Sequence, residues 1–126
     1  MEGFYPESGR PINPCVVPTP ILTSNRTAAT ELWQFKFFTQ TLVQEVRADI
    51  LGAGTGATAG YTIFKNTTSI GVVTCGVTGT GTVVDASLTD TFFAAGDALV
   101  LKNVTSDAGL EAALAISFLE NHERGY

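Results

Sequence analysis

The stretch from residue 41 to 51 alternates, and from Glu45 to Ile50 charged and apolar side chains change places at every step. Val46, Ala48 and Ile50 fall on one side of an extended backbone, and Glu45, Arg47 and Asp49 on the other. A period of two belongs to a strand with one buried face, and a helix cannot satisfy it. The same period appears upstream, where Trp33, Phe35 and Phe37 alternate with Gln34 and Lys36. It returns near the end, where Leu114, Ile116 and Phe118 alternate with Ala113, Ala115 and Ser117. There both sets are apolar or small, which suits a strand inside a sandwich or against a neighbouring subunit. Ala, Leu and Glu in residues 111–119 also favour a helix, but the Ile116-Ser117-Phe118 ending and the strand-rich context decide for a strand.

Turn chemistry separates the periodic segments. Asn66-Thr67-Thr68-Ser69 and Ala94-Ala95-Gly96-Asp97 are the clearest turns, and looser stretches occupy residues 52–57, 76–81 and 103–109. Eighteen threonines and 13 glycines supply strand faces and turns, so composition agrees with the periodicity. No amphipathic helical stretch separates the strands, which excludes an α/β architecture. About eight short strands are expected in residues 30–119, at the spacing of antiparallel sandwiches. The expected fold is all-β: a single antiparallel β-sandwich, of the jelly-roll kind, with a polar tail at residues 120–126.

All five prolines (Pro6, Pro11, Pro14, Pro18 and Pro20) precede that domain. Proline lacks the amide donor and pushes its predecessor to extended geometry, so residues 1–29 can form neither a regular helix nor a central strand. They are expected to form an extended N-terminal arm. Phe4, Tyr5, Ile12, Val16, Val17, Ile21 and Leu22 make it more apolar than a solvated linker. Two readings follow: a leader folded back on its own domain, or an arm laid in a groove on a partner, with those seven residues as the contact.

Chemistry is sparse. His122 is the only histidine and stands among polar residues near the terminus. A nucleophile–histidine arrangement would have to use it, and neither Ser nor Cys stands in an activating motif. Cys15 and Cys75 do not make a disulfide framework, and with one histidine they give no zinc spacing. Asp85, Asp90, Asp97 and Asp107 lie in separate segments without a calcium-loop motif. Glu45 and Asp49 flank Arg47 on one strand face, as a surface ion-pair row does. The string Gly52-Ala53-Gly54-Thr55-Gly56 follows a strand, but no helix pattern follows it and no Gly-Lys-Ser/Thr occurs, so it is expected to be a flexible connection. Three Asn-x-Thr triplets, at Asn25, Asn66 and Asn103, are better explained by turns than by glycans, because Asn tolerates left-handed geometry. No enzyme activity, cofactor or metal is expected.

The net charge of −5 opposes nucleic-acid binding, which needs clustered positive charge. The first residues are acidic and broken by proline, unlike a secretion signal, and apolar runs fall far short of the ~20 residues that span a bilayer. Synthesis in a cytoplasm without membrane attachment is expected.

One resemblance is carried by the segment Gly60-Tyr61-Thr62-Ile63-Phe64-Lys65-Asn66, the Gly/Thr-rich middle, and Phe93-Ala94-Ala95-Gly96-Asp97-Ala98-Leu99-Val100-Leu101-Lys102. In order and style, residues 30–119 resemble the β-sandwich modules of tailed-bacteriophage virion proteins, of the capsid decoration or cement type. The resemblance implies a structural protein on the outer surface of a capsid, stabilising it through contact with the major capsid protein, and usually a homotrimer. A different class of function is a fibre-tip or head-fibre module that binds a host carbohydrate or receptor, with Trp33, Tyr61 and Tyr126 as candidate stacking residues. Trp33 is in phase with Phe35 and Phe37, which favours a core position instead.

Overall fold

The computed structural model describes residues 12–121, with side chains from Cys15 to Glu120. Ten strands follow one another: β1 (Ile12–Thr23), β2 (Glu31–Lys36), β3 (Thr41–Gly52), β4 (Gly60–Lys65), β5 (Thr68–Thr74), β6 (Val83–Asp85), β7 (Ser87–Leu88), β8 (Phe92–Phe93), β9 (Ala98–Asn103) and β10 (Glu111–Asn121). They form two antiparallel sheets. The first has the order β1-β10-β3-β6, with β8 also on β3, and the second the order β2-β9-β4-β5-β7. No helix occurs among the described residues.

The alternation read from the sequence sets which side chains meet between the sheets. Val46, Ala48 and Ile50 of β3 and Ala112, Leu114, Ile116 and Phe118 of β10 are buried, and they share a core with Tyr61, Ile63, Leu99 and Leu101 of the second sheet. β10 lies between β1 and β3, and its outer row of Ala113, Ala115 and Ser117 is small and partly buried. Aromatic rings run along one margin of this core. Phe37 packs edge-on to Phe35 at 5.2 Å, Phe93 at 5.0 Å and Phe118 at 5.2 Å, and Trp33 stacks on Phe35 at 6.0 Å.

Two expectations change. The boundary at residue 30 does not separate an arm from a domain, because β1 pairs along nearly its whole length with β10 and is an edge strand of the sandwich. Proline excludes a central strand but not this one. Pro14 and Pro18 sit at alternate positions, so both can turn their missing donor away from β10. The ladder shifts register between Pro18 and Ile21, where the Thr19 hydroxyl accepts the Leu114 N–H at 2.9 Å in place of a backbone partner. Of the two readings of the proline-rich segment, residues 12–23 follow the first. Residues 1–11, with Phe4 and Tyr5, lie outside the described residues, as do residues 122–126.

The second change is in residues 83–93. By sequence, residues 82–88 and 89–93 suggest two short strands or strand edges, but the segment passes from one sheet to the other and back as β6, β7 and β8. Runs of two or three paired residues are too short for periodicity to reveal.

Candidate interaction surface

Residues 60–66 and 93–102 form one unit at one end of the sandwich. β4 ends at Lys65, and Asn66 after it takes the left-handed conformation (φ 56°) expected of a turn Asn. Its N–H donates to the Ala98 carbonyl at 2.8 Å, its Oδ1 accepts the Ala98 N–H at 3.0 Å, and its Nδ2 donates to Asp97 Oδ1 at 3.0 Å. The other Asp97 oxygen accepts the Ala94 N–H at 2.9 Å, closing a turn in which Gly96 has φ 93°. These bonds, that to Asn66 first, hold the Asp97 carboxyl below its ordinary value. Lys65 donates to the Phe92 carbonyl at 2.7 Å and to Asp90 at 3.0 Å. Lys65, Asn66 and Asp97 therefore cross-link segments about thirty residues apart, and their chemistry is used up in holding the fold. Asn66→Ala should lower stability by about 1–2 kcal/mol through the lost bonds and the left-handed backbone, read as a shift in the chemical-denaturation midpoint.

A second clamp closes the opposite end. Asp107, 4% exposed, accepts N–H bonds from Thr55 at 2.8 Å, Gly56 at 2.9 Å and Gly109 at 3.0 Å, with the Thr55 hydroxyl at 3.3 Å. These bonds, that from Gly56 first, hold its carboxyl below the ordinary value of 3.8. The glycine string is thus pinned, and the expectation of a flexible connection is corrected. Its amides do cradle an anion, but the anion is the chain's own carboxylate. Gly54 is needed there because a Cβ would run into the Gly76 carbonyl. Nearby, Asn103 is 2% exposed and its amide donates to the carbonyls of Ser24, Arg26 and Thr105 at 2.7–3.1 Å, while its oxygen accepts the Ser24 hydroxyl at 2.6 Å. That amide is engaged in the folded chain, so this Asn-x-Thr triplet serves the structure.

The side chains weighed for chemistry are dispersed. Asp107 belongs to one end of the sandwich, Asp90 and Asp97 to the other, and no group of three or more metal-ligating side chains occurs among the described residues. His122 lies outside them. Cys15 and Cys75 do not form a disulfide, and burial pushes the Cys75 thiol up to about 11. Burial, then the neighbouring Glu120 carboxylate, raises that of Cys15, so both are held as thiols rather than thiolates. Of the aromatics considered for a glycan, Tyr61 is fully buried with its hydroxyl donated to the Leu22 carbonyl at 2.9 Å, and Trp33 is stacked on Phe35. Tyr126 lies outside the described residues.

The arm residues divide between core and surface. Leu22 is 5% exposed and Val17 packs on the core, so neither is free for a partner. Val16 and Ile21 are each 62% exposed on the outer face of the first sheet. The side chain of Ile12 lies outside the described residues. On that face the register aligns rows across the strands: Ile21, Ala113, Asp49 and Val83 in one, Pro18, Ala115, Arg47 and Asp85 in the next. Val16, Ser117 and Glu45 form the third. Small residues of β10 thus floor a shallow trough between an aliphatic β1 ridge and a charged row on β3, as Val16, Arg47, Asp49, Val83, Ala113, Ala115 and Ser117 line it. Arg47 pairs with Glu45 at 3.0 Å, as the alternation predicts, but its second neighbour is Asp85 of β6 at 3.9 Å and not Asp49, which is in no ion pair among the described residues. Such exposed pairs contribute little stability. The sequence singled out Val16 and Ile21 but missed the trough, because its two walls come from strands that only the tertiary pairing brings together.

Compared with known protein families and with curated proteins, the chain matches no family model and no curated sequence.

Proposed function

We propose that this protein is a structural virion component of the tailed-phage decoration type, a jelly-roll sandwich that binds the outer surface of a capsid and stabilises it. The observation that carries the reading is the interlocking of the two resembling segments, in which Lys65 and Asn66 bond to the turn and strand edge at Asp90, Phe92, Asp97 and Ala98. A likeness that rests on such a unit concerns how the module is built, and so extends to the sandwich as a whole. The jelly-roll assignment is supported by strand order: β1-β10-β3-β6 in one sheet and β2-β9-β4-β5 in the other, with β1 and β2, then β3 and β4, on opposite sheets. The resemblance also implies a homotrimer.

The contact to the major capsid protein is assigned to the outer face of the first sheet, where Val16 and Ile21 stand beside the small floor of β10. Aliphatic side chains exposed this far from their own core gain by burial against a partner at about 25 cal/mol per Å² of apolar area. On a repeating shell, many weak copies of that contact add up through avidity. Val16→Asp combined with Ile21→Asp should leave the thermal midpoint within a few degrees of wild type. The same pair should abolish co-sedimentation with undecorated capsids of the virus that encodes the protein. Undiminished co-sedimentation of the folded double variant would remove this face from the proposal.

A further inference from the structure

The two neighbouring sheet edges differ in what they can accept. β1 carries Pro14 and Pro18 in the same phase of its ladder, which strip donors from its outer edge. β2 is the edge of the second sheet, has no proline, and pairs only with β9 among the described residues. Its outward groups can be read from the ladder. Phe37 N–H donates to the Asp97 carbonyl at 2.9 Å, whereas Ala98, opposite Lys36, exchanges its bonds with Asn66 on the other side. Alternation along the strand then turns the N–H and C=O of Gln34 and Lys36 away from β9. A short, unprotected ladder is left open.

The bulge in β2 gives this edge a symmetry that the sequence numbering hides. Glu31 stands opposite Lys102, Trp33 opposite Leu101, Gln34 opposite Val100, Phe35 opposite Leu99 and Lys36 opposite Ala98. Counted in ladder positions, Glu31 and Lys36 are therefore equidistant from Gln34, both exposed and both on the outer face with it. Trp33 and Phe35 are equidistant from Gln34 on the inner face, both partly buried and stacked on each other. Neither Glu31 nor Lys36 is in an ion pair among the described residues.

We infer that β2 is a self-pairing edge: a second copy of this chain adds antiparallel to it about a two-fold axis at Gln34. That one register sets each Lys36 opposite the partner's Glu31 and each Trp33 opposite the partner's Phe35, and joins the two Gln34 backbones by paired N–H to C=O bonds. Charge and ring complementarity are met on both faces at once, which commits the edge to its own copy over an unrelated strand. The contact is smaller than the ~800 Å² per partner of a standard interface, so its association is concentration-dependent. It is isologous and closes at two copies, unlike the trimer that the family resemblance implies, and it does not depend on that resemblance.

Sedimentation velocity over a concentration series reads the outcome directly. Wild type should show a two-fold association step, from the 13.3 kDa protomer to twice that mass or, where the chain also trimerises through another face, from trimers to paired trimers. Gln34→Pro, which removes only an outward donor, should weaken dimerisation by about tenfold or more, as should Lys36→Glu, which sets two acidic pairs across the axis. The double exchange Glu31→Lys with Lys36→Glu should restore the dimer, a rescue that a merely destabilised fold would not show. A monomer at every concentration would overturn the inference, and so would a dimer or trimer indifferent to Gln34→Pro and to Lys36→Glu.

Discussion

A chain that begins at residue 30 will not unfold cooperatively, whereas one that begins at residue 12 will. Removing residues 1–29 deletes β1, the strand that covers one edge of β10, and with it Leu22 from the core. Tyr61 then loses the carbonyl that accepts its buried hydroxyl, and Asn103 loses Ser24 and Arg26. Loss of a buried leucine costs about 2–5 kcal/mol and a stranded buried polar group about 1–3 kcal/mol. Three such losses together reach the whole stability of an ordinary domain, about 5–15 kcal/mol. Calorimetry and near-ultraviolet circular dichroism of the two truncations check this. A sharp thermal transition in the shorter chain would show that β1 is dispensable.

Asp107→Ala should be the most damaging single substitution of a polar residue, lowering stability by about 2–4 kcal/mol at neutral pH. Three amides and a hydroxyl converge on this carboxylate, and bonds to a charged acceptor are worth about 1.5–3 kcal/mol apiece before water replaces some of them. The pH dependence has a definite sign. The folded-state value lies below 3.8, so the unfolded chain binds the proton first. The stabilisation is complete above the unfolded value and is lost as pH falls through the lower folded one. Asp97 is shifted the same way, chiefly by Asn66, and adds to the trend. Urea midpoints of wild type should fall as the pH drops from about 5 through 3.8 and below, and those of Asp107→Asn less so. Parallel curves would mean that the carboxylate is not what holds the glycine string.

What was legible in the sequence was whatever repeats with a period of two. β10 alternates along nearly all its length and β3 from Glu45 to Leu51, long enough for the pattern to fix both strands and their buried faces, whereas the phase of β3 shifts at Gln44, where its ladder to β10 slips. Asn66 and Gly96 announced their turns because few residues tolerate a positive φ. The segments that were not legible owe their structure to distant partners. β1 has no obvious strand character because its prolines obscure it, and its pairing is supplied by residues about a hundred positions away. The glycine string looks loose until Asp107, fifty residues later, is brought beneath it. For the same reason Val16 and Ile21 could be named as contact residues from composition, while Leu22, one position from Ile21, could not be told apart from them. Only the register shows which of the three faces inward.

The claim that this protein works by adhering to a capsid is tested most directly by mixing the purified full chain with undecorated capsids and measuring bound copies per capsid by cryo-electron microscopy. Saturable binding at symmetry-related sites is expected, with the outer face of the first sheet, at Val16 and Ile21, against the shell. Bare capsids in the presence of excess folded protein would contradict it.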